Sequence, residues 1–349
     1  MTDTPMSVND RQRAARAQRL RALLDSSGGI EPMKGGRGHD QVEWLAWKMP
    51  PLLVYLGVGM STRFDYDRVD IHKTYASVRA LTRERRDVWA KILRRELDGI
   101  DVRRIVDLGC GVGRFSPLLR EVFRAAVAGV DRSERMLAAA RAIPEAGAIS
   151  WIRASAGALP IAEGTVDLIF LFLVYHHLAD PRAALRECAR ILTDNGAVFI
   201  VNSTVEILDS LRWLPFFPSA RQIDVARLPT REEVTHTAQE VGLTLVRQGT
   251  VVDPVAPNLT AYAEHVASRT FSTLQLVSDE EFARGAKEFR EYCAREDRGH
   301  TVDEVIDTFL LSRCATPSTP HRQLNLQARG RLLPPGTGRE RPRPPGNDE

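Results

Sequence analysis

Short apolar runs alternate with amphipathic stretches through the middle of the chain. The runs lie at residues 104–108, 126–130, 149–152, 166–172 and 197–201. Their length and apolar composition predict strands that are buried on both faces of a sheet. Two amphipathic stretches begin with typical helix caps, Ser133 before 134–142 and Asp180 before Pro181, which takes the first helical position. Strands that alternate with crossover helices predict a parallel, doubly wound α/β sheet.

Composition and charge are those of an ordinary globular chain. Of its 349 residues, 43% are hydrophobic and 27% are charged, and the net charge is +3. That excess lies entirely in residues 320–349, so the rest of the chain gives no electrostatic case for nucleic acid. The best candidate for a membrane span, residues 49–60, is too short and contains two prolines. No apolar leader follows the Arg-rich N-terminus, so we expect a cytoplasmic location.

The two ends of the chain differ in composition from the middle. Residues 1–59 lack the alternation of strand and helix patterns, and we expect them to form a flexible extension before a domain that starts near Met60. Residues 317–349 are rich in Pro, Gly and Arg and are expected to be disordered, which leaves 60–316 as the domain. Four widely spaced cysteines without a CxxC pair predict neither a disulfide framework nor a metal site.

The sharpest motif is a glycine-rich turn directly after the first predicted strand. Residues 106–113 read Val-Asp-Leu-Gly-Cys-Gly-Val-Gly. Glycines there allow positive φ angles and let a ligand lie against the backbone, which favours a nucleotide site. A dinucleotide-binding loop would place its third glycine at position 114, which is Arg114 in this chain. The pattern D-x-G-x-G-x-G instead resembles the first motif of class I S-adenosylmethionine-dependent methyltransferases.

Asp131 ends the second predicted strand and is a candidate for binding a ribose. A carboxylate at this strand end accepts hydrogen bonds from ribose hydroxyls in nucleotide-binding folds. The alternative is that Asp131 only caps the helix that starts beside Ser133. The resemblance to methyltransferases implies S-adenosylmethionine as the cofactor. The residues that it assigns to the cofactor here are Asp107, Gly109, Cys110, Gly111, Gly113, Asp131, Arg132 and Met136.

Later segments make the resemblance more specific. Residues 154–160 resemble a family segment, G-D-A-x-x-L-P, whose acidic residue reaches the adenine amino group. Ser155 replaces that acid here and is followed by Ala156, the other cofactor candidate in the segment. Residues 171–178, 180–181 and 186–196 resemble later motifs of the subgroup that includes the ubiquinone/menaquinone-type methyltransferases. The matches together cover residues 100–202, which we expect to be the cofactor-binding core.

The resemblance also implies the remainder of the fold. We expect a Rossmann-like sheet of about seven strands, mostly parallel with one antiparallel strand. A capping box at Thr230 predicts a helix that leads into a strand at 243–246, and 305–311 would be the closing antiparallel strand. Residues 253–300 would then be an inserted helical cap over the active site. A helix with Tyr75 and Arg79 would complete the cap and bind the methionyl carboxylate, with Arg114 as a rival for that role.

His176 and His177 follow the fourth predicted strand, at the sheet edge where open α/β folds bind ligands. Methyl transfer requires an aligned acceptor and a dry site, and it needs a base only when the acceptor loses a proton. Either histidine is a candidate base, with a pKa expected near neutrality. The favoured alternative is that the pair closes a turn and packs on the cofactor. For Tyr175 and Phe115 the alternatives are a cation–π contact to the sulfonium or core packing.

The sequence therefore predicts an S-adenosylmethionine-dependent methyltransferase that acts on a small-molecule acceptor. Two alternatives are a non-catalytic adenosyl-binding protein, which Ser155 makes conceivable, and a NAD(P)-dependent Rossmann oxidoreductase, which Arg114 disfavours. A nucleic-acid methyltransferase is disfavoured because no base-flipping tetrapeptide follows the fourth strand, where residues 174–177 read Val-Tyr-His-His. Neither nucleic acid nor a membrane is expected as a partner. The acceptor atom and the oligomeric state are left open.

Overall fold

The computed structural model describes residues 81–144 and 146–313, which contain a seven-stranded sheet flanked by helices. The strands are β1 Arg104–Leu108, β2 Ala126–Asp131, β3 Ile149–Arg153, β4 Val166–Phe172, β5 Leu192–Asn202, β6 Leu243–Ala256 and β7 Val302–Arg313. The helices are α1 Arg83–Glu96, α2 Ser116–Phe123, α3 Glu134–Arg141, α4 Pro181–Ile191, α5 Pro218–Arg227, α6 Arg231–Gln239, α7 Leu259–Ala267 and α8 Asp279–Glu296. The extension predicted at 1–59, the helix with Tyr75 and Arg79, and the tail predicted at 317–349 lie outside the described residues.

The strand order is β3-β2-β1-β4-β5-β7-β6. Strands β1 to β5 pair in parallel, and β7 is antiparallel to both of its neighbours, β5 and β6. The predicted fold class is confirmed, and each of the five apolar runs in the middle of the chain lies within one of the first five strands. Because β1 and β4 lie inside the sheet between helical layers, almost every residue in them is buried.

Helices begin where the sequence places a capping side chain. The hydroxyl of Ser133 accepts a hydrogen bond from the backbone nitrogen of Met136 at 3.2 Å, and Asp180 accepts one from Ala183 at 3.0 Å. At the start of α6 the capping box is complete, with Thr230 and the first-turn Glu233 each accepting from the backbone of the other. Among the described helices, none is both long and apolar enough to cross a membrane.

The last two strands are longer than the sequence predicts. The prediction placed strands at 243–246 and 305–311, whereas β6 and β7 form a ribbon that extends from 243 to 256 and from 302 to 313. Residues 253–256 are therefore strand and not part of the helical insertion, which corrects the predicted start of the cap. Strand β6 lies at the sheet edge, where Pro254 and the half-exposed Val252 are tolerated, and these residues weaken the strand pattern.

A separate apolar cluster holds the helices outside the sheet together. It joins α5, α7 and α8 with the 3₁₀ turns Val205–Ser210 and Leu214–Phe216, and Trp213, Tyr262 and Phe289 are fully or almost fully buried in it. The cap therefore comes from two segments, one after β5 and one between β6 and β7. Of these two segments the sequence predicted only the second, and the other predicted part of the cap, the helix with Tyr75 and Arg79, lies outside the described residues.

A buried ion pair connects α1 to the edge strand β6. Arg85 donates from Nε to Asp253 at 2.7 Å and from a terminal nitrogen to the other carboxyl oxygen. The indole nitrogen of Trp89 also donates to Asp253, at 2.9 Å, and all three side chains are less than one-tenth exposed. Such a pair contributes little net energy when intact, but removal of one partner leaves a buried charge without compensation.

We expect Asp253→Asn to lower the free energy of unfolding by about 3–5 kcal/mol, because the Arg85 guanidinium would lose its counter-charge. The matched control is Asp194→Asn, which breaks the exposed pair with Arg313 and should cost less than about 1 kcal/mol. Urea unfolding of both full-length variants measures the difference. Equal losses in the two variants would contradict the assignment of a structural role to the buried pair.

Candidate active site

A large cavity lies at the carboxyl ends of β1, β2 and β4. Its volume is about 390 Å³, and we call it the loop cavity because the glycine-rich turn forms one wall. The predicted cofactor residues that line it are Gly109, Gly111, Asp131, Arg132, Met136, Ser155 and Ala156. Ligands of open α/β sheets bind at this edge.

The three glycines of the turn have different physical roles. All have positive φ, at 74° for Gly109, 54° for Gly111 and 77° for Gly113. A Cβ at Gly109 would overlap the side chain of Val174, and one at Gly113 would overlap Trp151. A Cβ at Gly111 would meet no atom within 4 Å, since it would enter open space. Gly111 is thus the glycine whose missing side chain leaves room for a ligand.

Asp131 holds the glycine turn while lining the cavity. Its carboxyl oxygens accept hydrogen bonds from the backbone nitrogens of Gly111 at 2.9 Å and Ser133 at 2.8 Å. The capping bond inside α3 is made by Ser133, so the interpretation of Asp131 as only a helix cap is not supported. Burial raises the pKa of Asp131, and the two backbone bonds counteract that rise.

Asp107 and Cys110 do not line the loop cavity, in contrast to their predicted contact with the cofactor. Asp107 is buried beneath the turn and accepts a hydrogen bond from the hydroxyl of Ser116 at 2.5 Å. Burial raises the pKa of Asp107 to about 7. The Cys110 thiol is also buried, which raises its pKa well above the ordinary value. Both side chains are buried in the core beneath the glycine turn and therefore do not face the loop cavity.

The wall opposite the glycine turn is the loop that contains Ser155 and Ala156. A salt bridge between Glu187 and Arg190 on α4 holds this loop. Glu187 accepts a hydrogen bond from the backbone nitrogen of Leu159 at 2.8 Å, and Arg190 donates to the Leu159 carbonyl at 3.0 Å. The hydrogen bond from Arg190 lowers the pKa of Glu187 to about 2, so the bridge is charged at neutral pH.

The aromatic wall of the loop cavity is formed by a residue that the sequence analysis did not single out, and Phe115 and Tyr175 agree with core packing, one of the two alternatives left open for them. Phe115 and Tyr175 are 3% exposed and pack in the core, whereas Phe172 at the end of β4 lines the cavity. The Arg114 guanidinium lies over the ring of Phe172, 4.7 Å from its centroid, and does not line the cavity itself. Sequence reasoning missed Phe172, because the last residue of an apolar run carries no signal that separates core from cavity.

A second cavity of about 90 Å³ lies between the sheet and the cap, and we call it the cap cavity. Leu173 and His177 line both cavities, so they form the wall that the two share. Leu173 has a φ of 53°, an uncommon value for a bulky residue, which reverses the chain directly after β4. The sequence did not predict this cavity. Its ionisable lining residues come from separate segments of the chain: Arg85, His176, His177, Asp224, Asp253, His265 and Glu304.

The two histidines form a 3₁₀ turn, Tyr175–His177, with ring centroids 4.1 Å apart. Nδ1 of His176 lies 2.9 Å from the side-chain oxygen of Asn202. Burial, with the nearby charge of Arg227, lowers the pKa of His176 to about 4 and that of His177 well below its ordinary value. The expectation of a pKa near neutrality is therefore wrong: both rings are neutral at physiological pH because the site is desolvated.

Comparison with known proteins identifies the central part of the chain. Residues 106–200 match the family described as a methyltransferase domain. A ubiquinone biosynthesis O-methyltransferase of Parvibaculum lavamentivorans is 32% identical over 37% of this chain and 52% of its own. A trans-aconitate 2-methyltransferase of Azoarcus sp. is 40% identical over 34% of this chain and 44% of its own. The chain thus spans about half the length of these curated relatives.

A crystal structure of an S-adenosylmethionine-dependent methyltransferase from Aquifex aeolicus is also similar to the chain. Its sequence is 19% identical, and the match covers 53% of this chain and 92% of that one with a TM-score of 0.42. The family match covers the segment in which the glycine turn, Asp131 and both histidines lie.

We predict that the stability contributed by the His176 site falls as the pH is lowered. The folded-state pKa of about 4 lies below the ordinary value of about 6.5, so the unfolded chain binds the proton first and stability is lost between these two values. The difference in free energy of unfolding between the wild type and His176→Gln should therefore become smaller as the pH is lowered from 7 to 4.5. Urea unfolding of both proteins at each pH measures this difference. A difference for His176→Gln that does not change with pH would contradict the depressed pKa.

Proposed function

We propose that this chain, which carries a class I S-adenosylmethionine-dependent methyltransferase domain, transfers the methyl group to an oxygen of a small hydroxylated acceptor in the cap cavity. The observation that carries the proposal is the shared wall of Leu173 and His177, which brings a cofactor-sized cavity against a smaller polar one. In-line transfer needs a donor and an acceptor that approach each other from opposite sides.

The residues of the loop cavity fit the cofactor. The carboxylate of Asp131 accepts two hydrogen bonds from backbone nitrogens, and its remaining lone pairs can accept hydrogen bonds from ribose hydroxyls. Gly111 leaves open space where the methionyl part would lie, and Met136, Ser155 and Ala156 provide the sides of the adenine site. When bound, S-adenosylmethionine supplies a methyl group on a positively charged sulfur, which then leaves as a neutral thioether. The chain binds and orients it and excludes water.

The charges of the cap cavity favour an uncharged acceptor. Three carboxylates line it, those of Asp224, Asp253 and Glu304, against two guanidinium groups: Arg85 is paired with Asp253, and Arg227 lies 3.9 Å from Asp224. A polyanionic acceptor such as the tricarboxylate that the name of the Azoarcus relative gives would meet unfavourable potential here. A hydroxyl acceptor fits better, in agreement with the name of the Parvibaculum relative as an O-methyltransferase.

The size of the cap cavity also indicates a small acceptor. Its 90 Å³ has room for about three water molecules at about 30 Å³ each, so only a small acceptor, or the hydroxyl-bearing part of one, fits in it. We also propose that the chain acts in the cytoplasm. Its acceptor in this proposal is a small molecule and neither nucleic acid nor a membrane surface. In this account His176 and His177 have two candidate roles, a base for the acceptor hydroxyl or packing against the cofactor.

A second candidate function is binding of an adenosyl ligand without catalysis. The observation in its favour is that Ser155 is exposed in the loop cavity, where its hydroxyl accepts one long hydrogen bond of 3.4 Å from the backbone nitrogen of Gly157 among the described residues. A serine provides a weaker contact to the adenine amino group than the acid that it replaces. Methyl transfer to any acceptor distinguishes the two functions.

The cofactor assignment predicts how two substitutions change the affinity for S-adenosylhomocysteine in calorimetric titration. Gly111→Val should weaken binding at least about tenfold, because its side chain enters the cavity. Asp131→Ala removes charge-assisted hydrogen bonds of about 1.5–3 kcal/mol each, so the loss should exceed about tenfold.

The matched control for Gly111→Val is Gly164→Val. Gly164 also has a positive φ, 65°, and a Cβ there would meet no neighbour, but the residue lines neither cavity. The control should therefore lose stability without losing affinity. Unchanged affinity in both site variants, or equal losses in site and control variants, would contradict the cofactor assignment.

The acceptor assignment predicts a ranking among simple probes. With S-adenosylmethionine labelled in its methyl group, catechol should be methylated faster than benzoate or trans-aconitate, because the carboxylates of the cap cavity disfavour anions. Product is measured by mass spectrometry at equal probe concentrations. Faster transfer to trans-aconitate would contradict the proposal of an uncharged hydroxyl acceptor. Faster transfer to benzylamine would show that the methylated atom is nitrogen and not oxygen.

A further inference from the structure

We propose that Asn202 is a positioning residue that fixes His176 as the Nδ1–H tautomer, which makes Nε2 of His176 the atom that takes the acceptor proton. The inference rests on the proposed function and goes beyond it, since it selects one of two adjacent histidines and names the residue that sets its state. It is based on the hydrogen bonds at the end of β5.

Asn202 is fully buried where β5 ends, and its side-chain amide has one possible orientation. Its Nδ2 donates to the backbone carbonyl of Ser203 at 2.6 Å. A carbonyl oxygen only accepts, so the NH₂ group must face Ser203 and the amide oxygen must face His176. A flipped amide would place two acceptors against each other. The orientation is therefore set by the backbone and is independent of the histidine.

The amide oxygen of Asn202 in turn decides the tautomer of His176. The oxygen lies 2.9 Å from Nδ1, and because it accepts, Nδ1 must donate. In a neutral imidazole the other nitrogen, Nε2, then carries the lone pair. Nε2 makes no hydrogen bond within the described residues, and the ring lines the cap cavity. The lone pair is thus available to a group bound in that cavity.

His177 has a different position. It lines both cavities, whereas His176 lines only the cap cavity. A ring on the shared wall contacts the cofactor side as well, which suits the packing role that the sequence also allowed. The assignment therefore gives the two neighbours separate roles: His176 takes the proton and His177 forms the wall.

The transfer balances in atoms and charge. The acceptor oxygen forms a bond to the methyl carbon while the carbon–sulfur bond breaks and its electron pair remains on sulfur. The hydroxyl proton moves to Nε2 of His176, and the resulting imidazolium later releases it to solvent. The charge thus passes from sulfur to the imidazole.

Several ionisable groups surround His176 and affect its protonation. Burial and the charge of Arg227 on α5 disfavour the imidazolium of His176 by lowering its pKa, and burial, His176 and Arg227 lower the pKa of His177. The other ionisable groups that face the cap cavity come from α1, α5, β6, α7 and β7: Arg85, Asp224, Asp253, His265 and Glu304. Arg85 is paired with Asp253, and Asp224 accepts a hydrogen bond from Thr273 at 2.5 Å.

The tautomer is measured directly by long-range ¹H–¹⁵N NMR of the full-length chain labelled at histidine, with His176→Gln used for assignment. We expect Nδ1 of His176 to be protonated and Nε2 unprotonated in the wild type at pH 7. Asn202→Leu, of similar size without the amide, should lose this preference. Asn202→Asp should keep it because a carboxylate oxygen also accepts from Nδ1, although the variant should be less stable since its other oxygen faces the Ser203 carbonyl. Protonated Nε2 in the wild type, or an unchanged tautomer in Asn202→Leu, would overturn the assignment.

The role of Nε2 is tested with catechol as the probe in the presence of S-adenosylhomocysteine. Catechol should shift the Nε2 resonance of His176 more than either nitrogen of His177. A larger shift at His177, or no shift at His176, would overturn the base assignment. Binding of S-adenosylhomocysteine to the wild type, measured separately by calorimetry, tests the proposed function. If the wild type does not bind it but His176 has the Nδ1–H tautomer, the proposed function is contradicted and the positioning role of Asn202 is not.

A kinetic measurement separates positioning from a structural role. With catechol and saturating S-adenosylmethionine, His176→Gln should lower kcat by about 10²–10⁴-fold while the dissociation constant for S-adenosylhomocysteine changes little. Asn202→Asp should restore kcat relative to Asn202→Leu and should move the acid limb of the pH profile upward, since the new carboxylate raises the pKa of the imidazole. A His176→Gln variant within threefold of wild type, or equal kcat and pH profiles in both Asn202 variants, would overturn the proposal.

Discussion

The contact between Gly109 and Val174 is the constraint on which the site depends. It joins the glycine turn after β1 to the chain reversal after β4, and only a residue without a Cβ fits at position 109. Two further bonds fasten the turn to β2, since the backbone nitrogens of Gly109 and Cys110 both donate to the Val130 carbonyl, at 2.7 and 3.1 Å. Three strand ends are therefore held in one arrangement. The 3₁₀ turn Tyr175–His177 begins directly after Val174, so the same contact also fixes the position of that turn.

The cap depends on a second set of buried charges. Asp307 in β7 is fully buried and accepts two hydrogen bonds from Arg231 at the start of α6 and one from Thr204 after β5. The pair of Arg85 and Asp253 holds α1 against β6 in the same region. Buried pairs of this kind are geometrically demanding, because each oxygen and nitrogen must find a partner. Arg85 and Asp253 both line the cap cavity and keep that wall polar, whereas Asp307 and Arg231 lie outside its lining.

The parts of the fold set by local rules could be predicted from the sequence. Apolar runs identified the first five strands, capping residues identified the starts of three helices, and the D-x-G-x-G-x-G pattern with Asp131 identified the loop cavity. These signals are short-range, since each needs only neighbouring residues. The extent of β6 was missed because an edge strand tolerates Pro254, which the pattern treats as a break.

The cap cavity could not be predicted because its chemistry is assembled over long distances in the chain. Arg85, Asp224, Asp253 and Glu304 carry no shared motif and meet only through packing. The depressed histidine pKa has the same origin, since it depends on burial by segments outside the motif. Trp151 gives another example: it explains why positions 113 and 129 are glycine, although the sequence suggested a ligand at the first of these. Roles assigned from a motif alone therefore need the packing of the whole domain.

The central claim is that a methyl donor in the loop cavity meets an acceptor across the wall of Leu173 and His177. The most direct test is to bind S-adenosylmethionine with a ¹³C-labelled methyl group and to record nuclear Overhauser effects from that methyl group to the protein. The account predicts contacts to the Leu173 methyl groups and the His177 ring. Contacts confined to the outer side of the loop cavity, near Arg132 and Gly157, would place the reactive methyl group away from the cap cavity and would contradict it.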